Sequence, residues 1–256
     1  KMRMYASYFT FDFSIMFLLA FSGGFVPIIQ ENPSQVKRLR KILLCGKMEK
    51  RPAGAKNGGN TMFKAVCFDF DYTLGDCTDS IVAGFVHGLT SLGWPAPERE
   101  AVRSTIGYLL EDAYSMLTGD LDPDHQARFR TLFSEVAVER QRRETVLFPG
   151  APELLRGLKA QGIKPAIVST KRGDTIQIIL ERLGLADTVD LVIGSADVTR
   201  HKPDPEGLLA ALDRLGVKPE DALFCGDTVL DAGAAKNAGT RFAAVLLGTT
   251  PAEAFA

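Results

Sequence analysis

From residue 62 onward, short apolar runs of strand length alternate with stretches whose apolar positions recur at helical spacing. Ala65–Phe68, Lys164–Ser169, Leu191–Gly194, Ala222–Cys225 and Phe242–Leu247 read as strands, too short and too uniformly apolar for surface hairpins. Helices fall between them, around Ala151–Gln161, Thr175–Leu183, Glu206–Leu215 and Asp231–Ala238, with Gly162, Gly184, Gly216 and Gly239 placed where each would stop. Strand–helix alternation of this kind builds a parallel sheet covered on both faces. The interval 77–145 breaks the alternation. It contains no strand-like run and reads as four helices, roughly Asp79–Gly93, Glu98–Ile106, Leu110–Leu117 and Pro123–Arg143, which is far longer than a crossover requires.

The ends of the strands carry the chemistry. The run Val66-Cys67-Phe68 stops in Asp69-Phe70-Asp71-Tyr72-Thr73, two carboxylates one residue apart followed by a hydroxyl. Alternation along an extended chain lets Asp69 and Asp71 point to the same side. Their repulsion calls for a cation or a shared proton. A calcium loop is excluded by spacing, because Leu74 and Ser80 stand where it would need Gly and Glu. A second apolar run, Ala222–Cys225, ends in Gly226-Asp227-Thr228-Val229-Leu230-Asp231, and between the two lie Ser169-Thr170 and His201-Lys202-Pro203.

In this order, DxDxT, strand-end Ser, Lys-Pro and GDxxxD resemble the haloacid dehalogenase superfamily. Phe148-Pro149-Gly150 and Ala234-Ala235-Lys236-Asn237-Ala238-Gly239 are similar to its phosphoglycolate-phosphatase-like branch. The resemblance runs from about Met62 to Leu247. It implies a Rossmann-like α/β core over 62–76 and 146–256, with an inserted helical cap over 77–145. It also implies a Mg²⁺-dependent phosphatase acting on a small phosphorylated metabolite. Asp69 would be the nucleophile, Asp71 the general acid and base, and Lys202 the neutralising cation. Ser169, Thr170 and Lys202 would bind phosphate. Asp69, the backbone carbonyl of Asp71, Asp227 and Asp231 would serve the metal. A carboxylate at 71 favours phosphohydrolase over dehalogenase. A phosphosugar mutase shares this core, and a receiver-like or binding module is the non-catalytic alternative.

Several residues remain open at this stage. Thr73 reads equally as a turn cap or as closing the loop after Asp71. Lys171 and Arg172, in place of the family's commoner Asn-Lys or Asn-Arg, would reach the substrate or line the rim. Tyr72, in a place often taken by a small residue, would crowd the pocket. Trp94, Phe129 and Phe133 read as packing rather than stacking, and His87, His125 and His201 have no metal or triad spacing.

Composition adds limits. The 256 residues are 46% hydrophobic, enough for one substantial core. The formal charge of −1 conceals a basic first segment, with ten Lys/Arg against three Asp/Glu in residues 1–61, and an acidic remainder, with twenty against twenty-eight. An acidic body argues against nucleic acid as a partner. Cys45, Cys67, Cys77 and Cys225 show no metal spacing and point to a reducing, cytoplasmic setting. Residues 1–61 read as a disordered or non-native extension, with the working protein starting at Met62. Their apolar stretch 14–21 is interrupted too early to span a bilayer, so no stable membrane association is expected. Relatives are expected to continue beyond Leu247 into a further strand and helix. Oligomeric state stays open.

Overall fold

The computed structural model describes residues 26–28 and 63–255, so the expectations for the rest of the N-terminal segment, Cys45 included, lie outside the described residues. Eight strands are described: β1 Val26–Ile28, β2 Ala65–Phe68, β3 Gly75–Asp76, β4 Val146–Leu147, β5 Lys164–Val168, β6 Leu191–Ile193, β7 Ala222–Gly226 and β8 Arg241–Val245. Six of them form one parallel sheet in the order β1-β8-β7-β2-β5-β6, leaving β3 and β4 as a separate antiparallel pair. The central strand β2 is buried along its whole length and pairs with β5 on one side and β7 on the other. Phe68 stands opposite Ile167 and Cys225. The three strands therefore end at one level, and the residues that follow them are brought together.

Helices cover both faces. On one face α5 (Ala151–Ala160) and α6 (Gly173–Arg182) bury Leu154, Leu155, Leu158, Ile176 and Ile179. On the other, α7 (Glu206–Leu215) and α8 (Val229–Ala238) pack small residues, Ala211, Ala234 and Ala235, against Cys67, Ala166 and Phe224. Small side chains there bring the helices close to the sheet, and close packing is where dispersion contacts accumulate.

Between β3 and β4 the chain forms four helices, α1 Thr78–Ser91, α2 Arg99–Arg103, α3 Leu110–Thr118 and α4 Pro123–Glu144. The second is shorter than its apolar pattern suggests, because residues 104–107 turn out of the helix. In α4, Asp122 caps the N-terminus by accepting from Asp124 N at 2.8 Å, and Pro123 occupies the first turn. Phe129, Phe133, Ala137 and Gln141 recur every fourth residue and are the buried face of an otherwise polar helix. They meet α1, where a Cβ at Gly84 would lie 2.7 Å from Ala137 Cβ and Phe133 Cδ2. Phe85 contacts the rings of Phe129 and Phe133 at 5.1 and 5.4 Å, and Trp94 Nε1 donates to Tyr114 Oη at 3.1 Å, so the aromatic residues of this region pack among themselves. No described helix is long and apolar enough to cross a membrane.

Candidate active site

Asp69 follows β2 directly and is 1% exposed, its N–H donating to Cys225 O at 2.9 Å. The chain then folds into a tight turn in which Phe70 O accepts from Leu74 N and Gly75 N at 2.9 and 3.0 Å. Tyr72 takes a left-handed φ of 56° at its tip. Its ring does not crowd the cavity as expected. It is buried, with Oη 2.8 Å from Thr78 Oγ1 and accepting from Arg103 Nε at 3.1 Å. The same turn presents Thr73, whose hydroxyl donates to Asp227 Oδ1 at 3.3 Å. Thr73 therefore ties the loop after β2 to the loop after β7.

Asp227 follows β7, and Asp231 lies in the first turn of α8. Ligand oxygens of Asp69, Asp227 and Asp231 all lie within 4.8 Å of one another, and all three residues are buried. Lys202 stands against this trio, its Nζ 2.5 Å from Asp231 Oδ1 and 2.9 Å from Asp69 Oδ1. Burial opposes the Lys202 charge, but Asp231 and Asp69 outweigh it and raise its pKa above the ordinary lysine value. The other oxygen of Asp231 accepts from Thr228 N at 3.0 Å and Thr228 Oγ1 at 2.6 Å, a capping box, so Asp231 both starts α8 and aims Lys202. Helix α8 also holds the lysine's own loop. Asn237 Nδ2 donates to Pro203 O at 2.9 Å, and a Cβ at Gly233 would stand 2.7 Å from Pro203 Cβ, so glycine is what allows the approach.

Ser169 ends the run of β5, and its Oγ accepts from Lys171 N at 3.3 Å. Thr170 Oγ1 donates to Gly107 O of the helical insertion, also at 3.3 Å. Asp71 stands apart from the acidic trio. Both its oxygens accept from Lys171 Nζ, at 3.1 and 2.9 Å. Arg172 turns outward and pairs with Asp174 at 2.8 Å. Of the two cations left open by the sequence, then, Lys171 grips Asp71, while Arg172 stands at the cavity wall held by Asp174. The pairing of Lys171 with Asp71 crosses one hundred positions, and no local pattern carries it. His87 and His125 pair with Glu135 and Asp120 on the insertion, and only His201 reaches the cavity wall. Cys77, buried with Sγ 3.0 Å from Thr145 Oγ1, has its pKa raised by burial and is not a reactive thiolate.

Two ammonium groups face four carboxylates here, and the surplus negative charge fits a divalent cation. Burial, then Asp69 and Asp231, push the pKa of Asp227 well above the ordinary carboxylate value, a sign of charge without enough compensation. The contact of Lys202 with Asp69 Oδ1 is a close charge contact, yet that buried oxygen accepts no hydrogen bond among the described residues. Hard, buried oxygens from Asp69 and Asp227 suit Mg²⁺. Asp231, with both oxygens engaged, suits a supporting place.

Beside Asp71, a half-open cavity of about 620 Å³ lies between the core and the insertion. Its floor includes Asp71, Thr170 and Lys171, and its roof includes Ile106, Tyr108 and Phe133.

A family model described as haloacid dehalogenase-like hydrolase matches residues 66–245. Among curated proteins, the chain is 35% identical over 179 residues to a probable phosphatase, IndB, of Dickeya dadantii, covering 68% of this chain and 77% of that protein. It is 34% identical to the pyrophosphatase PpaX of Bacillus velezensis, covering 71% and 82%. With the phosphoglycolate phosphatase of Salmonella typhimurium it shares 33%, covering 75% and 85%. A crystal structure described as a haloacid dehalogenase-like hydrolase from Bacteroides fragilis superposes with a TM-score of 0.73 at 42% identity, covering 75% of this chain and 92% of that one.

Proposed function

The chain belongs to the haloacid dehalogenase-like hydrolases, and from that premise we propose a Mg²⁺-dependent phosphatase that cleaves a small phosphomonoester through a phosphoaspartate at Asp69. The observation that carries this reading is the placement of Asp69, Asp71, Ser169 and Asp227 just beyond the ends of three adjacent strands, with Lys202, from the segment after β6, against Asp69.

An Asp69 carboxylate oxygen attacks phosphorus, and the bond from phosphorus to the ester oxygen breaks. Asp71 gives that leaving oxygen a proton and later takes one from water, whose oxygen attacks the phosphoaspartate and releases phosphate. Ser169 Oγ and the Thr170 amide donate to phosphate oxygens, and Lys202 offsets charge on Asp69 and the transferred group. Asp69, Asp227 and the Asp71 backbone carbonyl would hold Mg²⁺, with Asp231 in support. When bound, the metal supplies positive charge against the phosphate oxygens. The helical insertion covers part of the cavity, and a substrate seated beneath it would displace water. The substrate is a small phosphorylated metabolite; phosphoglycolate and pyrophosphate, named for two relatives, head the candidates. The buried free thiols of Cys67, Cys77 and Cys225 suit the reducing cytoplasm, where we place the enzyme.

The test is phosphate release from a panel of phosphoglycolate, pyrophosphate, hexose phosphates and nucleoside monophosphates, with Mg²⁺ and with chelator. Release that needs the metal is expected. A folded protein that frees no phosphate from any of them overturns the reading.

A further inference from the structure

We infer that Lys171 reads a second negative charge on the leaving part of the substrate, carried by a carboxylate bonded to the atom that bears the bridging oxygen or by the oxygens of that atom itself when it is phosphorus. This rests on the phosphatase reading, and it names the substrate class of the same site.

The cations around the cavity are unevenly committed. Arg130 is held by Glu111 at 2.8 Å, and Arg172 by Asp174 at 2.8 Å. Lys202 is committed to Asp69 and Asp231. The Lys171 side chain is 5% exposed, and its one carboxylate partner is Asp71. It lies over the Phe70 ring at 6.0 Å. It is thus a desolvated cation, at the floor of the cavity, on a carboxylate that must itself turn to the substrate.

Geometry then decides what Lys171 meets. For Asp71 to serve the leaving oxygen, that oxygen must come within hydrogen-bond reach of a carboxylate that Lys171 already grips on both sides. Atoms one or two bonds beyond the leaving oxygen then fall beside Nζ. A neutral alkyl group there leaves the ammonium on Asp71 and competing for the acid. A carboxylate or phosphate there takes over the ammonium as a charge-assisted partner and releases both Asp71 oxygens toward the leaving group. Much of the rest of the wall, including Ile81, Phe85, Ile106, Leu110 and Phe133, offers apolar surface, so a bulky polar leaving group gains little beyond this contact.

The experiment compares kcat/KM of the full chain for phosphoglycolate and pyrophosphate with that for ethyl phosphate, a neutral leaving group of similar size, in the wild type, Lys171→Met and Lys171→Arg. Charge-assisted contacts of this kind correspond to a preference of about 10- to 150-fold for the anionic substrates in the wild type. Lys171→Met is expected to collapse that ratio, mostly through KM. Lys171→Arg, which keeps the charge and protects against a folding defect, is expected to retain part of it. Which anion is preferred separates carboxylate from phosphate as the recognised group. Equal wild-type turnover of ethyl phosphate and the anionic substrates overturns the inference while leaving the phosphatase intact. So does a Lys171→Met variant that loses kcat on every substrate in proportion, since it would show a residue that only positions Asp71. Silence of the wild type on all three substrates overturns the phosphatase reading and this inference together.

Discussion

The strand ends of the core and the inner wall of the helical insertion face each other across one cavity, yet they are built by opposite rules. At the strand ends nearly every charge has more than one partner. Lys202 bridges two aspartates, Asp231 accepts from Lys202 and Thr228, and Thr73 ties Asp227 to the loop after β2. The insertion is held by ring packing, Phe85 on Phe129 and Phe133, and its polar contacts to the core are few. Thr170 reaches Gly107, Tyr72 meets Thr78 and Arg103, Arg142 pairs with Asp174, and Arg182 donates to the carbonyls of Arg142 and Thr145. The difference teaches which half tolerates change. A network of crossed charges loses its function when one member goes, whereas an apolar interface loses stability in proportion to the volume removed.

The sharpest way to break the comparison is Asp69→Asn. On the proposed mechanism this removes the nucleophile, and phosphate release should fall by about 10³-fold or more. Removing one of three crowded negative charges should leave the melting temperature equal or higher. A coupled loss of fold would mean that the site is structural rather than strained for function. Phe129→Ala addresses the other region. This fully buried ring should cost about 3–5 kcal/mol, read by denaturant unfolding. Hydrogen exchange should show the loss concentrated in α1 and α4.

Between these lies the proposed Mg²⁺ site. Mg²⁺ at about one hundred times its Kd should stabilise the protein by about 2.7 kcal/mol, measured by thermal shift. Asp227→Asn should remove most of that response. A full response in the variant would move the metal elsewhere. The smallest effect belongs to His125 on the insertion. Its hydrogen bond to Asp120 raises its pKa above the ordinary value of 6.5. A folded value above the unfolded one means that the contribution is present below about pH 6.5 and is lost as pH rises through the raised value. Melting temperatures of wild type and His125→Gln should therefore differ in acid and converge in base. A constant gap across that range would assign the difference to packing.

Much of the core was legible because its signals are local. The runs ending at Asp69, Ser169 and Asp227 state both that a strand is present and where it stops, and a parallel sheet brings such ends together. The insertion was legible as helices because 77–145 holds no strand-like run and is far longer than a crossover requires. Three features were not. Strands β3 and β4 are two residues each, too short for any period to register. Tyr72 gave its identity but not its direction, which follows from a left-handed backbone and from Thr78 and Arg103 around its hydroxyl. The grip of Lys171 on Asp71 depends on two loops meeting in space, and side-chain pairing over such a separation leaves no trace in either segment.

The paired strands β3 and β4 have a consequence for how such a protein changes over time. The chain departs for the insertion at Asp76 and comes back at Val146, and these two residues lie side by side. Because the gate is already closed by its own hydrogen bonds, whatever is spliced between its posts need not span a gap, and its length carries little entropic penalty. The excursion behaves as a cassette. Exchanging it would leave the aspartates and lysines at the strand ends in register while presenting them with a different roof, so a new clientele can be acquired without the chemistry being reinvented.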